Sequence, residues 1–187
     1  MHWFEKFDIE AWWDKKIEEL SKGMQQKIQF ISTVVHEPKL LILDEPFSGL
    51  DPLNTNLIKD EIRNLNEAGS SIIFSTHRME QVEEICERIV LINDGSKILE
   101  GTVADIKNQF KENLFQIHFD GKIPDDLENY GKMISSEGNS FVIQKRPDQQ
   151  NNSILQHLIN HDVRILSYNE ILPSLNEIFI RKVEGEA

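Results

Sequence analysis

The chain has 187 residues, enough for one ordinary domain or for a core plus a small second domain. Apolar residues make up 39% of it, which supplies a core and excludes wholesale disorder. Its 32 acidic against 20 basic side chains give a net charge of −12, which removes the electrostatic footprint of a nucleic-acid or anionic-lipid binder. The one cysteine, Cys86, excludes an internal disulfide and fits a cytosolic compartment, with the thiol expected on the buried face of a helix. The longest apolar runs, Leu40 to Leu43 and Ile89 to Ile92, are strand-sized and far short of the ~20 residues that cross a bilayer.

Residues 3–19 are helix-compatible, with Trp3, Phe4, Phe7, Ile9, Trp12 and Trp13 forming a packing face among charged residues. Ser21 is placed to cap a helix that runs to about His36, where Glu37-Pro38 ends it. Leu40-Leu41-Ile42-Leu43 is a continuous apolar run, the pattern of a parallel strand covered on both faces. Leu57, Ile58, Ile62 and Leu65 recur at helical spacing up to Gly69, and Ser71 to Ser75 forms a second buried strand that leads into Thr76-His77. Met79, Val82 and Cys86 mark another helix. Asn93-Asp94-Gly95-Ser96 is a hairpin turn between Ile89 to Ile92 and Ile98-Leu99, and Thr102 caps a helix bearing Val103, Ile106 and Phe110. Alternating strands and helices indicate an α/β core, but with too few visible strands to cover the edges of a parallel sheet.

From residue 113 the pattern changes. Phe115, Ile117 and Phe119 alternate with polar residues as a half-buried strand, and Leu127 and Tyr130 fit a short helix. Strands around Met133-Ile134 and Phe141 to Ile143 flank the Glu137-Gly138-Asn139 turn. A helix over Ile154 to Ile159, a strand at Val163 to Leu166 and a last helix after Pro173-Ser174 follow. This βαββαβ order, followed by a helix, is that of a small α+β ferredoxin-like domain.

The chemistry concentrates at Asp44-Glu45, two consecutive carboxylates delivered by an apolar strand, as in a Walker B element. An aspartate at a strand tip can hold Mg²⁺, a hard cation that takes oxygen ligands, while the next side chain can polarise the water that attacks a γ-phosphate. Upstream, Ser21-Lys22-Gly23 opens a helix, where backbone N–H groups and the helix dipole favour phosphate. Downstream come Ser48-Gly49-Leu50-Asp51 and then His77, within reach of the same γ-phosphate.

These four elements, in this order and spacing, resemble the ATP-binding cassette (ABC) ATPases: signature, Walker B with its glutamate, D-loop and switch histidine. The resemblance covers residues 1–112 closely. It implies a partial P-loop NTPase (ABC cassette) core at 1–112 followed by an accessory α+β domain at 113–187. It further implies that Ser21, Lys22 and Gly23 meet the γ-phosphate of ATP held by the opposite subunit, that Asp44 binds Mg²⁺ and that Glu45 is the general base. Asp51 is the D-loop residue of the cassette dimer and His77 the switch histidine. The resemblance implies ATP and Mg²⁺ as cofactors, and as partners a second cassette (homo- or heterodimer) and a transmembrane permease subunit. The location it implies is cytoplasmic, peripheral on the inner face of the membrane through that permease.

Two departures qualify the likeness. The signature reads Leu20-Ser21-Lys22-Gly23-Met24 rather than Leu-Ser-Gly-Gly-Gln, a variant that resembles a bacterial exporter-type branch. No Gly-x-x-x-x-Gly-Lys-[Ser/Thr] phosphate loop (Walker A) occurs, since Gly121-Lys122 and Gly131-Lys132 lack the earlier glycine and the following hydroxyl residue. The expectation is that Met1 does not begin the functional unit and that the chain alone is inactive. The leading reading is an ATP-binding subunit that couples ATP hydrolysis to export. The alternatives are a regulatory or split-cassette fragment that offers only its signature face, and a non-transport ABC ATPase. In the C-terminal region His157 and His161 have the i, i+4 spacing of metal ligands, but the sequence offers no obvious third ligand.

Overall fold

A computed structural model of the protein describes residues 2–150 and 152–185. The chain forms two compact units, Met1–Ile85 and Cys86–Ala187. The hairpin and helix between residues 88 and 109, grouped with the first domain by sequence pattern, thus fall in the second unit.

In the first unit, the expected helix over residues 3–19 is broken into α1 (His2–Lys6) and two single 3₁₀ turns, Glu10–Trp12 and Ile17–Glu19. The break occurs at Asp8, whose φ of 52° leaves the helical region. The aromatic residues still pack as anticipated: Phe7 and Ile9 are fully buried, and Trp3, Phe4 and Trp12 lie against the same core, although Trp13 is 73% exposed. Helix α2 (Lys22–Val34) begins at Ser21, whose hydroxyl accepts from the Met24 amide at 3.3 Å. It ends two residues before His36, because Glu37 adopts a left-handed φ of 52° ahead of Pro38. The Lys27 ammonium on this helix is buried and donates to the Phe7 carbonyl at 3.1 Å, tying the N-terminal segment to α2.

Strand β1 (Leu40–Asp44) pairs in parallel with β2 (Ser71–Ser75), with Asp44 opposite Ser75, and α3 (Pro52–Glu67) connects them. Asp51 caps α3, and Pro52 sits at its first position, where no amide donor is needed. The strands are not covered on both faces as the apolar run suggests. Leu41 and Leu43 are buried against Phe30, Val34, Phe47, Ile58 and Ile62, while Leu40, Ile42 and Ile73 are exposed on the opposite face. The unit closes with α4 (Met79–Ile85), which is held to α3 by the ion pair of Lys59 and Glu84.

In the second unit, Cys86 follows the helix rather than lying within it. It is half-buried, and burial pushes its thiol up to about 11, which disfavours the reactive thiolate. Strands β3 (Arg88–Asn93) and β4 (Ser96–Thr102) form the expected hairpin. Asp94 and Gly95 both have positive φ, as a two-residue type I′ turn requires. Thr102 caps α5 (Val103–Gln109).

Strands β5 (Leu114–Asp120), β6 (Gly131–Glu137), β7 (Ser140–Lys145) and β8 (Arg164–Ile171) form one antiparallel sheet in the order β6-β7-β5-β8. This is the ferredoxin-like order. The helix expected between the first two strands is reduced to the 3₁₀ turn Leu127–Asn129. Helix α6 (Ser153–Asn160) supplies Ile154 and Leu158 to a core shared with Phe115, Ile117, Phe141 and Ile143.

Helix α7 (Leu175–Glu184) starts in a reciprocal cap. The Ser174 hydroxyl accepts from the Glu177 amide at 3.2 Å, and the Glu177 carboxylate accepts from the Ser174 amide at 2.7 Å. Those bonds from Ser174 hold the Glu177 carboxyl below the usual glutamate range. Ser174→Ala is expected to cost about 1 kcal/mol, read as about fivefold faster amide exchange in α7. Because the folded carboxyl is depressed, its share of that stability is complete above its unfolded value and is lost as pH falls through its folded one. The penalty of the substitution therefore shrinks in acid.

Candidate functional site

Two groupings of the sequence-selected residues lie in the first unit. The first stands at the carboxyl ends of β1 and β2. The parallel register places Asp44 beside Ser75, and the Ser75 hydroxyl donates to the Asp44 carboxylate. The Glu45 amide donates to the Ser75 carbonyl at 3.0 Å, so the chain leaves β1 still held to β2. Glu45 itself has a φ of 45°, a left-handed conformation uncommon for a residue with a side chain. This turn swings its carboxylate away from the strand direction that Asp44 follows and toward the segment after β2.

There the carboxylate is fully engaged. Its Oε2 accepts from the Thr76 hydroxyl at 3.0 Å, and its Oε1 accepts from both the His77 amide at 3.0 Å and His77 Nδ1 at 2.6 Å. Burial opposes ionisation of Glu45, but the His77 ring, the His77 amide and the Thr76 hydroxyl outweigh it and hold the carboxyl below its ordinary range. An ionised carboxylate only accepts, so Nδ1 of His77 carries the proton and Nε2 is left for another group. The His77 side chain is 81% exposed, which leaves it accessible to a ligand.

The second grouping joins the start of α2 to the loop after β1. A Cβ placed on Gly23 would sit 3.4 Å from the Gly49 carbonyl oxygen, and one on Gly49 would sit 3.3 Å from Cδ of Lys22. Gly49, at φ 76°, needs glycine for conformation as well as for space. The Gln26 amide donates to the Pro46 carbonyl at 3.3 Å, so α2 is bonded directly to the segment that carries Glu45. Ser21, Lys22 and Gly23 thus present the first turn of a 13-residue helix, with its dipole and unpaired amides, beside that loop. Asp51 is committed locally: its carboxylate accepts from the Asn54 amide at 3.0 Å and from the Asn54 side chain, and these bonds hold its carboxyl below the usual range.

The structure therefore brings Asp44, Glu45 and His77 together and keeps Ser21, Lys22 and Gly23 as a separate turn at the start of α2. It also adds Ser75 and Thr76, which orient the two carboxylates. The signal for them was their position at the end of a strand in register with Asp44, two and one residues before the histidine. Asp44 has the donor chemistry of a Mg²⁺ site: an exposed carboxylate at a strand tip, oriented by one hydroxyl and with oxygen lone pairs to spare.

A family model described as "ATP-binding protein DrrA1-3-like, C-terminal domain" matches residues 101–183. Another, described as "AAA domain, putative AbiEii toxin, Type IV TA system", matches residues 15–82. An ABC transporter ATP-binding protein of Bacillus subtilis, YhaQ, is 41% identical over 97% of this chain and 61% of its own length. An ABC transporter ATP-binding protein of Alkalihalophilus pseudofirmus is 39% identical over 97% of this chain and 68% of its own. The chain thus spans about two thirds of these relatives. A solved ATP-binding subunit of an ABC transporter matches 58% of this chain and 45% of its own, with a TM-score of 0.55 and 33% identity.

Proposed function

The chain belongs to the ABC transporter ATP-binding protein family, and from that premise we propose that it carries the hydrolytic and signature elements of an ATPase that drives export. The observation that carries this reading is the Asp44–Glu45–His77 arrangement at the ends of β1 and β2. Asp44 would hold Mg²⁺ through its carboxylate, and the ion would offset the charge of the phosphates. Glu45 accepts the proton of the attacking water, and His77 supports the γ-phosphate through its ring.

The hydrogen bonds suggest how the two side chains cooperate. With His77 on Glu45, both carboxylate oxygens are occupied and the group is a weak base. Moving the His77 ring toward a γ-phosphate removes the largest influence that depresses Glu45. It thereby frees Oε1 for water and makes the carboxylate a better proton acceptor. Ser21, Lys22 and Gly23 meet the nucleotide of a second cassette, and Asp51, as cap of α3, sets the loop between the two sites. The phosphate loop is supplied by a segment with the Gly-x-x-x-x-Gly-Lys-[Ser/Thr] motif that these 187 residues lack. A membrane-spanning permease is the partner that moves. Among the described residues no helix is long and apolar enough to cross a membrane. The Lys22-Gly23-Met24 signature supports the export direction, and the ferredoxin-like sheet is read as a packing or dimer-stabilising domain.

The test is Gly23→Ala in the assembled cassette that joins these residues to a phosphate loop. The added methyl group meets only ordinary contacts, 3.4 Å from the Gly49 oxygen and 3.8 Å from Leu50, so the fold tolerates it. Turnover is expected to fall about tenfold or more as the phosphate is held off the helix terminus. Unchanged turnover with normal folding would remove the signature assignment.

A further inference from the structure

We infer that Asp126, His157 and His161 form a binding site for a divalent transition-metal ion of the zinc class in the second unit, separate from the nucleotide chemistry. Their ligand atoms lie within 4.8 Å of one another. Two of the three come from one helix end: His157 in the last turn of α6 and His161 at its C-cap stand at i, i+4, with ring centroids 4.4 Å apart. The third is 31 residues away in sequence. Asp126 lies just before the 3₁₀ turn Leu127–Asn129, and Leu127, 2% exposed, anchors that turn in the core. The carboxylate is thereby delivered to His157 Nε2 at 2.8 Å.

The surroundings prepare each ligand. His161 Nδ1 lies 2.9 Å from the His157 carbonyl, which can only accept, so Nδ1 carries the proton and Nε2 holds the lone pair. An imidazole whose second nitrogen is fixed on a backbone carbonyl is the usual support of a metal-bound histidine. His157 is 7% exposed, and the Tyr130 ring packs at 4.4 Å from its own, which fixes its plane. The His157–Asp126 hydrogen bond is the position where an ion replaces a shared proton. Ligands on a tetrahedral zinc lie about 3.3 Å apart, so the His157 ring and the Asp126 carboxylate separate by about half an ångström, while the His161 ring closes in from a ligand-atom separation of up to 4.8 Å. A cation is also favoured here by the negative end of the α6 dipole. Two imidazoles and one carboxylate suit zinc and its neighbours rather than Mg²⁺ or Ca²⁺, and three protein ligands leave a fourth position for water.

The experiment is calorimetric titration of the chelator-stripped chain with Zn²⁺, with Co²⁺ as a visible-absorption probe of tetrahedral coordination. One ion per chain is expected, with the visible bands of a four-coordinate Co²⁺ site. Asp126→Asn and His161→Ala alter exposed side chains and leave the core of the unit intact. Each is expected to weaken Zn²⁺ binding at least about tenfold. Absence of stoichiometric binding, or binding that both variants leave unchanged, would overturn the site and leave the cluster as a histidine–aspartate hydrogen bond.

Discussion

Glu45→Gln is expected to lower ATP turnover of the assembled cassette by about 10²–10⁴-fold while leaving ATP binding intact. Glutamine keeps the shape of the side chain and an oxygen to accept from the Thr76 hydroxyl or the His77 amide. It cannot take a proton from water. The loss should therefore appear in kcat and not in KM, the signature of an interaction made only in the transition state. His77→Ala supplies the complementary measurement. It removes the ring that occupies Oε1 and the contact to the γ-phosphate together, but leaves the carboxylate in place. Turnover falls in both variants under the proposed mechanism, and the double variant should be little worse than Glu45→Gln alone, because the two side chains act as one unit. Turnover within twofold of the parent for Glu45→Gln would disprove its assignment as the base.

How much of this site was legible in sequence follows from which contacts are local. Asp44 and Glu45 could be read because they are adjacent and close an apolar strand, and Ser21 because a cap stands at the start of its own helix. Ser75 and Thr76 could not be given roles in advance. Two hydroxyl residues at a strand end are unremarkable until the register of β1 on β2 sets Ser75 opposite Asp44. Asp126 escaped for the same reason, since its link to His157 spans 31 residues and depends on Leu127 being driven into the core. The central strands of the ferredoxin-like sheet were legible because β5 and β7 alternate cleanly between buried and more exposed residues. The break at Asp8 was not, because aspartate tolerates a left-handed turn without announcing one.

Strand β1 is where pattern and structure diverge most, and the divergence has a measurable consequence. A run of four apolar residues reads as buried on both faces, so Leu41 and Ile42 appear equivalent. In the structure Leu41 is 3% exposed within the first core and Ile42 is 69% exposed. Leu41→Ala should therefore destabilise the first unit by about 2–5 kcal/mol through lost burial and the cavity it leaves. Ile42→Ala should change stability by no more than about 0.5 kcal/mol. Urea unfolding followed by tryptophan fluorescence reads this unit selectively, since all three tryptophans, Trp3, Trp12 and Trp13, lie in it. The pairing of Ile42 with Ile73 makes the exposed face continuous across both strands. A cost for Ile42→Ala that approaches that of Leu41→Ala, and grows with protein concentration, would mean that this face is covered in solution by another copy of the chain. A cost that is negligible at every concentration would mean that Ile42 stands in solvent in the chain by itself.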